Sequence, residues 1–224
     1  MNRYARQVKL KELSNTGQEL LSSSKVAIVG VGALGTVSSQ LLVRAGVLNI
    51  LLIDNDTVDV VNLQRQVLFD EEDVGKEKTM VAKQKLEKIN SEARIELFNE
   101  WLTPDNAKVL GDYDLMLDCT DNMKARHVIN DYCKESKKIW IHAAGSGVKG
   151  NILVVDNPDT FSKIFRTNES FDNCEEVGVI NTLTNIIASL QVTEALKILT
   201  KQNHCKDLIR FNLWTNQYHK IKLK

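Results

Sequence analysis

Short apolar runs alternate with amphipathic stretches through the first two thirds of the chain. Lys25-Val26-Ala27-Ile28-Val29 ends in Gly30-Val31-Gly32-Ala33-Leu34-Gly35, and Leu41, Leu42, Ala45 and Val47 follow at helical spacing. The pattern reads strand, glycine turn, helix. Asn49 to Ile53 is a second buried strand, and others centre near Ile95, Leu115 and Ile141, with helical patterns between them. Such alternation predicts an α/β fold, a Rossmann-like, doubly wound, mainly parallel sheet with helices on both faces. A helical arm over 1–24 precedes a parallel half over 25–145. After Gly145 the texture changes. Asn151 to Val155 reads as a strand, and Leu208 to Leu213 with Tyr218 to Leu223 reads as a hairpin around Asn216. The C-terminal half, 146–224, is therefore expected to extend the sheet with antiparallel strands. Val179 to Leu199 is apolar at helical spacing but is interrupted by Asn181, Asn185, Ser189, Gln191, Glu194 and Lys197. It reads as a packed helix, not a membrane span. Pro104 and Pro158 are the two prolines, no repeat or linker is apparent, and 1–224 reads as a single domain.

The glycine turn carries the first chemistry. Gly30 permits the tight turn, Gly32 lets backbone approach a phosphate, and Gly35 lets the helix lie close on the strand. Free N–H groups at the helix start then face an anion. Asp54 ends the second strand, where a carboxylate can accept both hydroxyls of a ribose. The unit reads as an adenine nucleotide site, and an NAD enzyme is its default interpretation. Val61-Asn62-Leu63-Gln64-Arg65-Gln66 and Gly75-Lys76-Glu77-Lys78 shift that interpretation, because they bring positive charge towards the phosphates. Lys76 and Lys78 fall at the start of a helix running to about Ile89, where the helix dipole disfavours cations unless an anion lies nearby. A triphosphate would be that anion, whereas Lys76 reads as a solvated lysine.

The order Arg3-Tyr4-Ala5-Arg6-Gln7, the glycine turn, Asp54-x-Asp56, Asn62-Leu63-x-Arg65-Gln66, Lys78 and Asp118-Cys119-Thr120-Asp121-Asn122 resembles the E1-like adenylyltransferases of the ThiF/MoeB/HesA family. The resemblance spans almost the whole chain. It implies ATP- and magnesium-dependent adenylation of a carboxylate, most often the C-terminal glycine of a small ubiquitin-like sulfur carrier ending in Gly-Gly (ThiS/MoaD-like), with release of pyrophosphate. By that resemblance Arg65 and Lys78 ground the β- and γ-phosphates, Asn62 helps position them, Asp54 holds the ribose and Asp121 organises magnesium. Gly30, Gly32, Gly35, Asp56, Gln66 and Asn122 complete the implied nucleotide site. Arg6 matches the family arginine that reaches into the other subunit's site, which implies a homodimer. Two readings of Asp118 stay open, catalytic and merely hydrogen-bonded in place. Arg126 reads as the partner of a nearby carboxylate.

Two departures qualify the resemblance. Cys119, Cys133, Cys174 and Cys205 form no Cys-x-x-Cys pair, so neither a disulfide framework nor the family's structural zinc is expected. Phe161 to Arg166 stands where the first zinc pair would be. Cys174 matches a family cysteine able to receive an activated acyl group, against the alternative of an unreactive loop residue. The family's glycine-rich stretch after that cysteine is here Gly178 to Ala188, with Asn181, Asn185 and Ala188 at positions usually glycine. Their side chains are expected to occupy space where backbone packs closely in the family, which bears on the substrate tail rather than on ATP.

Charge adds only exclusions. Lys and Arg number 29, Asp and Glu 29, and neutrality gives no reason to expect nucleic acid or an anionic membrane. The start shows no cationic leader with an apolar run, so a cytoplasmic protein is expected. Besides sulfur-carrier adenylation, two readings remain: adenylation of another peptide or small carboxylate, and a nucleotide-binding scaffold or regulatory half of a heterodimeric E1. Arg65, Lys78 and Asp121 argue against the scaffold.

Overall fold

A computed structural model describes residues 3–165 and 177–223. Eight strands form one sheet in the order β3-β2-β1-β4-β5-β6-β7-β8. The strands are β1 (Lys25–Val29), β2 (Asn49–Ile53), β3 (Arg94–Phe98), β4 (Leu115–Asp118), β5 (Ile139–Ser146), β6 (Lys149–Val155), β7 (Leu208–Asn212) and β8 (Gln217–Ile221). The first five run parallel, and β6, β7 and β8 continue the sheet antiparallel. The expected doubly wound sheet with an antiparallel extension is what forms, down to the hairpin at Asn216, whose φ of 53° supplies the left-handed turn.

The helices are α1 (Ser14–Ser23), α2 (Gly35–Ala45), α3 (Lys78–Ile89), α4 (Met123–Ser136), α5 (Pro158–Ile164) and α6 (Asn181–Leu199). Alternation along each strand divides the core in two. Val26, Ile28, Ile50, Leu52, Leu115 and Leu117 face α1, α2, α3 and α6. Ala27, Val29, Leu51, Ile53 and Met116 face α4 and α5. Each fully buried Val, Leu or Ile contributes about 1.5–3 kcal/mol relative to exposure, so the two layers together drive the fold.

Two details bear on the departures noted in the sequence. Of the residues standing where the family's first zinc pair would be, Phe161 to Ile164 lie in α5, and Phe161 and the following Phe165 are buried against Trp140 and His142. Aromatic packing holds this corner. The asparagines at the start of α6 do not crowd the interior as expected: Asn181 is exposed, and Asn185 turns its amide back onto Asn181 O at 2.9 Å. Close approach is provided from the strands instead, since a Cβ on Gly150 would stand 2.7 Å from Phe211 and 2.9 Å from Ile187 of α6.

The order in which strands are added switches sides at β1: β2 and β3 lie on one side of it and β4 and β5 on the other. The crevice beyond the carboxyl ends of β1, β2 and β4 is the place where doubly wound sheets bind ligands.

Candidate active site

The glycine turn leaves β1 at Gly30, whose φ of +92° suits glycine, and a Cβ there would stand 2.6 Å from Cys119 O. A Cβ on Gly35 would overlap Gly30 O, so the start of α2 packs directly on the turn. At Gly32 a Cβ would meet only Gln66 Nε2, at 3.7 Å. Gly30 and Gly35 are thus required by the fold, whereas Gly32 leaves its outer face open to a ligand.

Asp54 follows β2 and is buried. Its Oδ2 accepts from Val31 N–H of the turn at 2.6 Å, and its Oδ1 accepts from Asp56 N–H at 2.9 Å. Burial raises its pKa, and the two backbone donors and Lys78 only partly offset that cost. The carboxylate therefore shapes the turn, while each oxygen retains a lone pair for a ligand hydroxyl.

Lys78 opens α3, and its N–H donates to Asp56 O at 3.0 Å. Its ammonium is buried and lies 2.8 Å from Asp56 Oδ2, while the Asp56 side chain is 47% exposed. Asp56 thus steers a lysine that would otherwise be an unpaired buried cation. Lys76 is exposed. Arg65 is half-buried, donating to Val61 O at 3.1 Å and to Asn62 Oδ1 at 3.2 Å. Gln66 is buried beside Gly32, and its Oε1 has no hydrogen-bond partner among the described residues. An orphaned buried acceptor fits a hydroxyl or water donor brought by a ligand.

On the other side of the crevice, Asn122 caps α4 by accepting from Ala125 N–H at 2.9 Å. Asp121 is exposed, and its Oδ1 accepts from Asn122 Nδ2 at 3.4 Å. Asp118, one turn of chain earlier, is fully buried. Its Oδ1 accepts from Thr120 N–H at 3.0 Å and Thr120 Oγ1 at 2.6 Å, and its Oδ2 faces Arg126 Nε at 3.1 Å and His142 Nδ1 at 2.8 Å. Burial alone would raise its pKa, but the Arg126 guanidinium and these hydrogen bonds outweigh it and hold the group below the ordinary carboxylate range. Burial also lowers the His142 pKa, against the pull of Asp118. Asp118 is therefore held in place away from solvent, and Arg126 is its partner as expected. Cys119 is no nucleophile, since burial pushes its thiol pKa up.

His142, Asn151 and Gln191 were not anticipated as functional. Gln191 of α6 donates to Asp118 O at 2.8 Å and Ile141 O at 3.1 Å, and accepts from Ser38 Oγ of α2 at 3.0 Å. It ties α2 and α6 to the ends of β4 and β5. The available signal was a polar residue inside an apolar run, as for His142 in Ile139-Trp140-Ile141-His142-Ala143.

Arg6 is not brought to this crevice. Gln7 Nε2 donates to Ala45 O at 2.8 Å, Asn90 Nδ2 to Tyr4 OH at 3.0 Å and Arg3 Nη1 to Ile89 O at 2.8 Å, so the arm docks on the C-terminal ends of α2 and α3. The glycine turn and Lys78 lie at the opposite ends, and α2 alone spans about 16 Å at 1.5 Å per residue. Cys174 lies outside the described residues.

The residues fit a nucleotide triphosphate: an open glycine at a helix start, two cations and an unmet buried acceptor share one rim. They also fit a magnesium ion held through Asp121. Among the described residues no three His, Cys, Asp or Glu side chains form a metal-binding group. Most oxygen ligands would then come from phosphate and water, the usual arrangement for magnesium. No helix among the described residues is long and apolar enough to cross a membrane.

Comparison with known proteins agrees with this geometry. The ThiF family model matches residues 4–224. The chain is 37% identical to the molybdopterin-synthase adenylyltransferase of Haemophilus influenzae over 99% of its own length and 94% of that protein. It is 32% identical to the Escherichia coli adenylyltransferase of the sulfur carrier protein ThiS, over 99% of this chain and 91% of that one. A probable molybdopterin-synthase adenylyltransferase of Porphyra purpurea is 33% identical, and the chain covers 60% of its length. Among solved structures, E. coli MccB crystallised with AMPCPP and MccA superposes with a TM-score of 0.81 at 25% identity, over 98% of this chain and 70% of that chain. With a family match over nearly every residue and adenylyltransferase relatives above 30% identity covered almost end to end, the chain belongs to the ThiF family and is an E1-like adenylyltransferase.

Proposed function

We propose that the protein adenylates the C-terminal glycine carboxylate of a small ubiquitin-like sulfur carrier ending in Gly-Gly, using ATP and magnesium and releasing pyrophosphate. What supports this reading is the open Gly32 with the unmet Gln66 acceptor beside it, on a turn fixed by Asp54, whose second backbone donor Asp56 also holds the buried Lys78 ammonium. A carboxylate oxygen attacks the α-phosphorus, the bond from that phosphorus to the pyrophosphate oxygen breaks, and an acyl adenylate remains. Two anions must approach, so stabilisation of developing charge dominates the barrier. Lys78 and Arg65 neutralise the departing pyrophosphate, Lys78 by exchanging Asp56 for a phosphate oxygen. N–H groups at the start of α2 receive the phosphates, and Asp54 and Gln66 accept from ribose hydroxyls. Asp121 would hold magnesium, whose chemistry there is to polarise phosphate oxygens. Arg6 lies far from its own site and acts on that of a second copy, so a homodimer is part of the design. In a later step the Cys174 thiolate takes the acyl group from the adenylate as a thioester, the bond from the acyl carbon to the phosphate oxygen breaking as AMP departs, and the reaction is cytoplasmic.

Pyrophosphate–ATP exchange tests this reading, with carriers ending in Gly-Gly, tailless controls and Asp121→Ala. Tail-dependent exchange that vanishes in the variant is the expected result. A second reading is adenylation of another peptide carboxylate. It is favoured by the exposed Asn181 at the start of α6 and by the likeness to MccB solved with MccA. Exchange driven by short peptides but not by carriers would select it. Tight ATP binding with no exchange on any acid would select the scaffold.

A further inference from the structure

Beneath the loop that carries Asp121 lies a buried polar cluster to which adenylation assigns no step. Asp118 is 0% exposed, Arg126 5% and His142 1%. Taking such groups out of water costs several kcal/mol, and replacing a buried ion pair by apolar residues is often neutral for stability. Stability alone is a poor reason for the cluster, so the direction of its hydrogen bonds matters.

They converge on one residue. Asp118 Oδ1 takes both the N–H and the hydroxyl of Thr120, at 3.0 and 2.6 Å, and Arg126 Nη2 donates to Thr120 O at 2.7 Å. Every polar group of Thr120 is thereby held. On the far side of Asp121, Asn122 is fixed by its cap on α4. Asp121 is clamped between two immobilised neighbours while its own carboxylate stays exposed. That is how a ligand carboxylate is preorganised.

The cluster also has an outer end. His142 belongs to β5, with Nδ1 on Asp118 Oδ2 and Nε2 2.9 Å from Asn151 Oδ1 of β6. Phe165 closes over the imidazole with ring centroids 4.6 Å apart. A continuous path thus runs from β6 through His142, Asp118 and Thr120 to Asp121.

We propose that Asp118, Arg126 and His142 are positioning residues for Asp121, and that His142, anchored by Asn151, makes the placement of this metal-holding carboxylate depend on β6 of the C-terminal half. The inference rests on the reading of Asp121 as the magnesium ligand. It does not require that the acyl acceptor be a sulfur carrier.

The test is a Mn2+ titration followed by electron paramagnetic resonance, with a non-hydrolysable ATP analogue on the full chain. His142→Phe is the principal variant, because its slot is lined by Trp140, Phe161 and Phe165 and accepts a phenyl ring. Arg126→Lys keeps the charge facing Asp118 but loses the fork to Thr120, and Asn151→Ala removes only the outer contact. His142→Phe is expected to weaken Mn2+ binding about tenfold, the low end for residues that orient a metal ligand. Arg126→Lys shifts it the same way and Asn151→Ala by less, with the affinity of the metal-free analogue unchanged. In an Asp121→Asn background, His142→Phe produces no further loss, since both act through one carboxylate. Folded variants with wild-type Mn2+ affinity, or an equal loss in both backgrounds, overturn the proposal. Mn2+ and analogue binding that follow this pattern, without exchange on any carrier, would support it while rejecting carrier adenylation. A wild-type chain that binds neither Mn2+ nor analogue overturns both.

Discussion

The parallel half and the antiparallel half share one sheet but present opposite surfaces. At the carboxyl ends of β1, β2 and β4, polar groups are paired with the backbone of neighbouring loops, as when Asp54 holds Val31 and Asp118 holds Thr120. In the β7–β8 hairpin the comparable contact, Asn212 Oδ1 accepting from Trp214 N–H at 3.0 Å and Thr215 N–H at 3.3 Å, shapes only the hairpin's own turn. The hairpin exposes Trp214 at 76% and Tyr218 at 50%, and every residue of β8 is exposed. In the first half backbone is spent on shaping a small-molecule site, and in the second an unpaired sheet edge and aromatic side chains face outward. The polar crevice and the outward-facing sheet edge are thereby separated in space, with His142 and Asn151 linking β5 to β6 between them.

That division can be broken most severely at Gly35. Gly35→Ala places a Cβ on Gly30 O, and a loss of about 3–5 kcal/mol in urea unfolding is expected, at the upper end for single substitutions. An unperturbed midpoint would mean the turn is looser than described. Next comes Asp121→Ala, which should lower pyrophosphate exchange by roughly 10²-fold or more while leaving the thermal midpoint within a degree or two, because the side chain is exposed. Equal losses in activity and stability would contradict the separation of roles.

Acidity should sharpen the contrast further. His142 and Asp118 both have lowered pKa values in the folded chain. Each therefore contributes stability that is present above its unfolded value and is lost as pH falls towards its folded one. Chemical denaturation at stepped pH should show stability declining below about pH 6.5 as His142 binds a proton more readily when unfolded, then again below about 4 for Asp118. His142→Phe should erase the upper phase and shrink the lower one, because His142 also helps hold the Asp118 pKa down. The smallest effect belongs to the second half. Trp214→Ala should change stability by no more than about 0.5 kcal/mol. Carrier-free ATP binding should also stay intact, and calorimetry on both quantities is the check.

Much of the site was legible because its parts are local. The glycine turn, Asp54 at a strand end and Lys78 at a helix start are each defined by a few consecutive residues, and the structure brings them to one rim. Asp56 was legible as polar, but its hold on Lys78 depends on a contact across 22 positions. The phenylalanines of α5 could be seen to replace cysteines, yet their packing on His142 could not, since side-chain stacking between a strand and a later helix leaves no periodic trace. The asparagines of α6 were expected to fill space and instead face outward, because Gly145 and Gly150 on the strands give Ile187 the room it needs.

Sequence alone determined the doubly wound class, the order of its strands along the chain and the glycine turn that joins the first strand to its helix. These follow from hydrophobic period and from glycine's backbone freedom, both properties of short windows. Tertiary structure alone decided that Arg6 stands at the far end of α2 and α3 from its own site. It also decided that Gln191 joins two helices to two strands, and that Asp118 serves as support beneath Asp121. Those outcomes depend on which distant residues share a low-dielectric interior, where an unpaired polar group is costly and the partner that relieves it is chosen by topology.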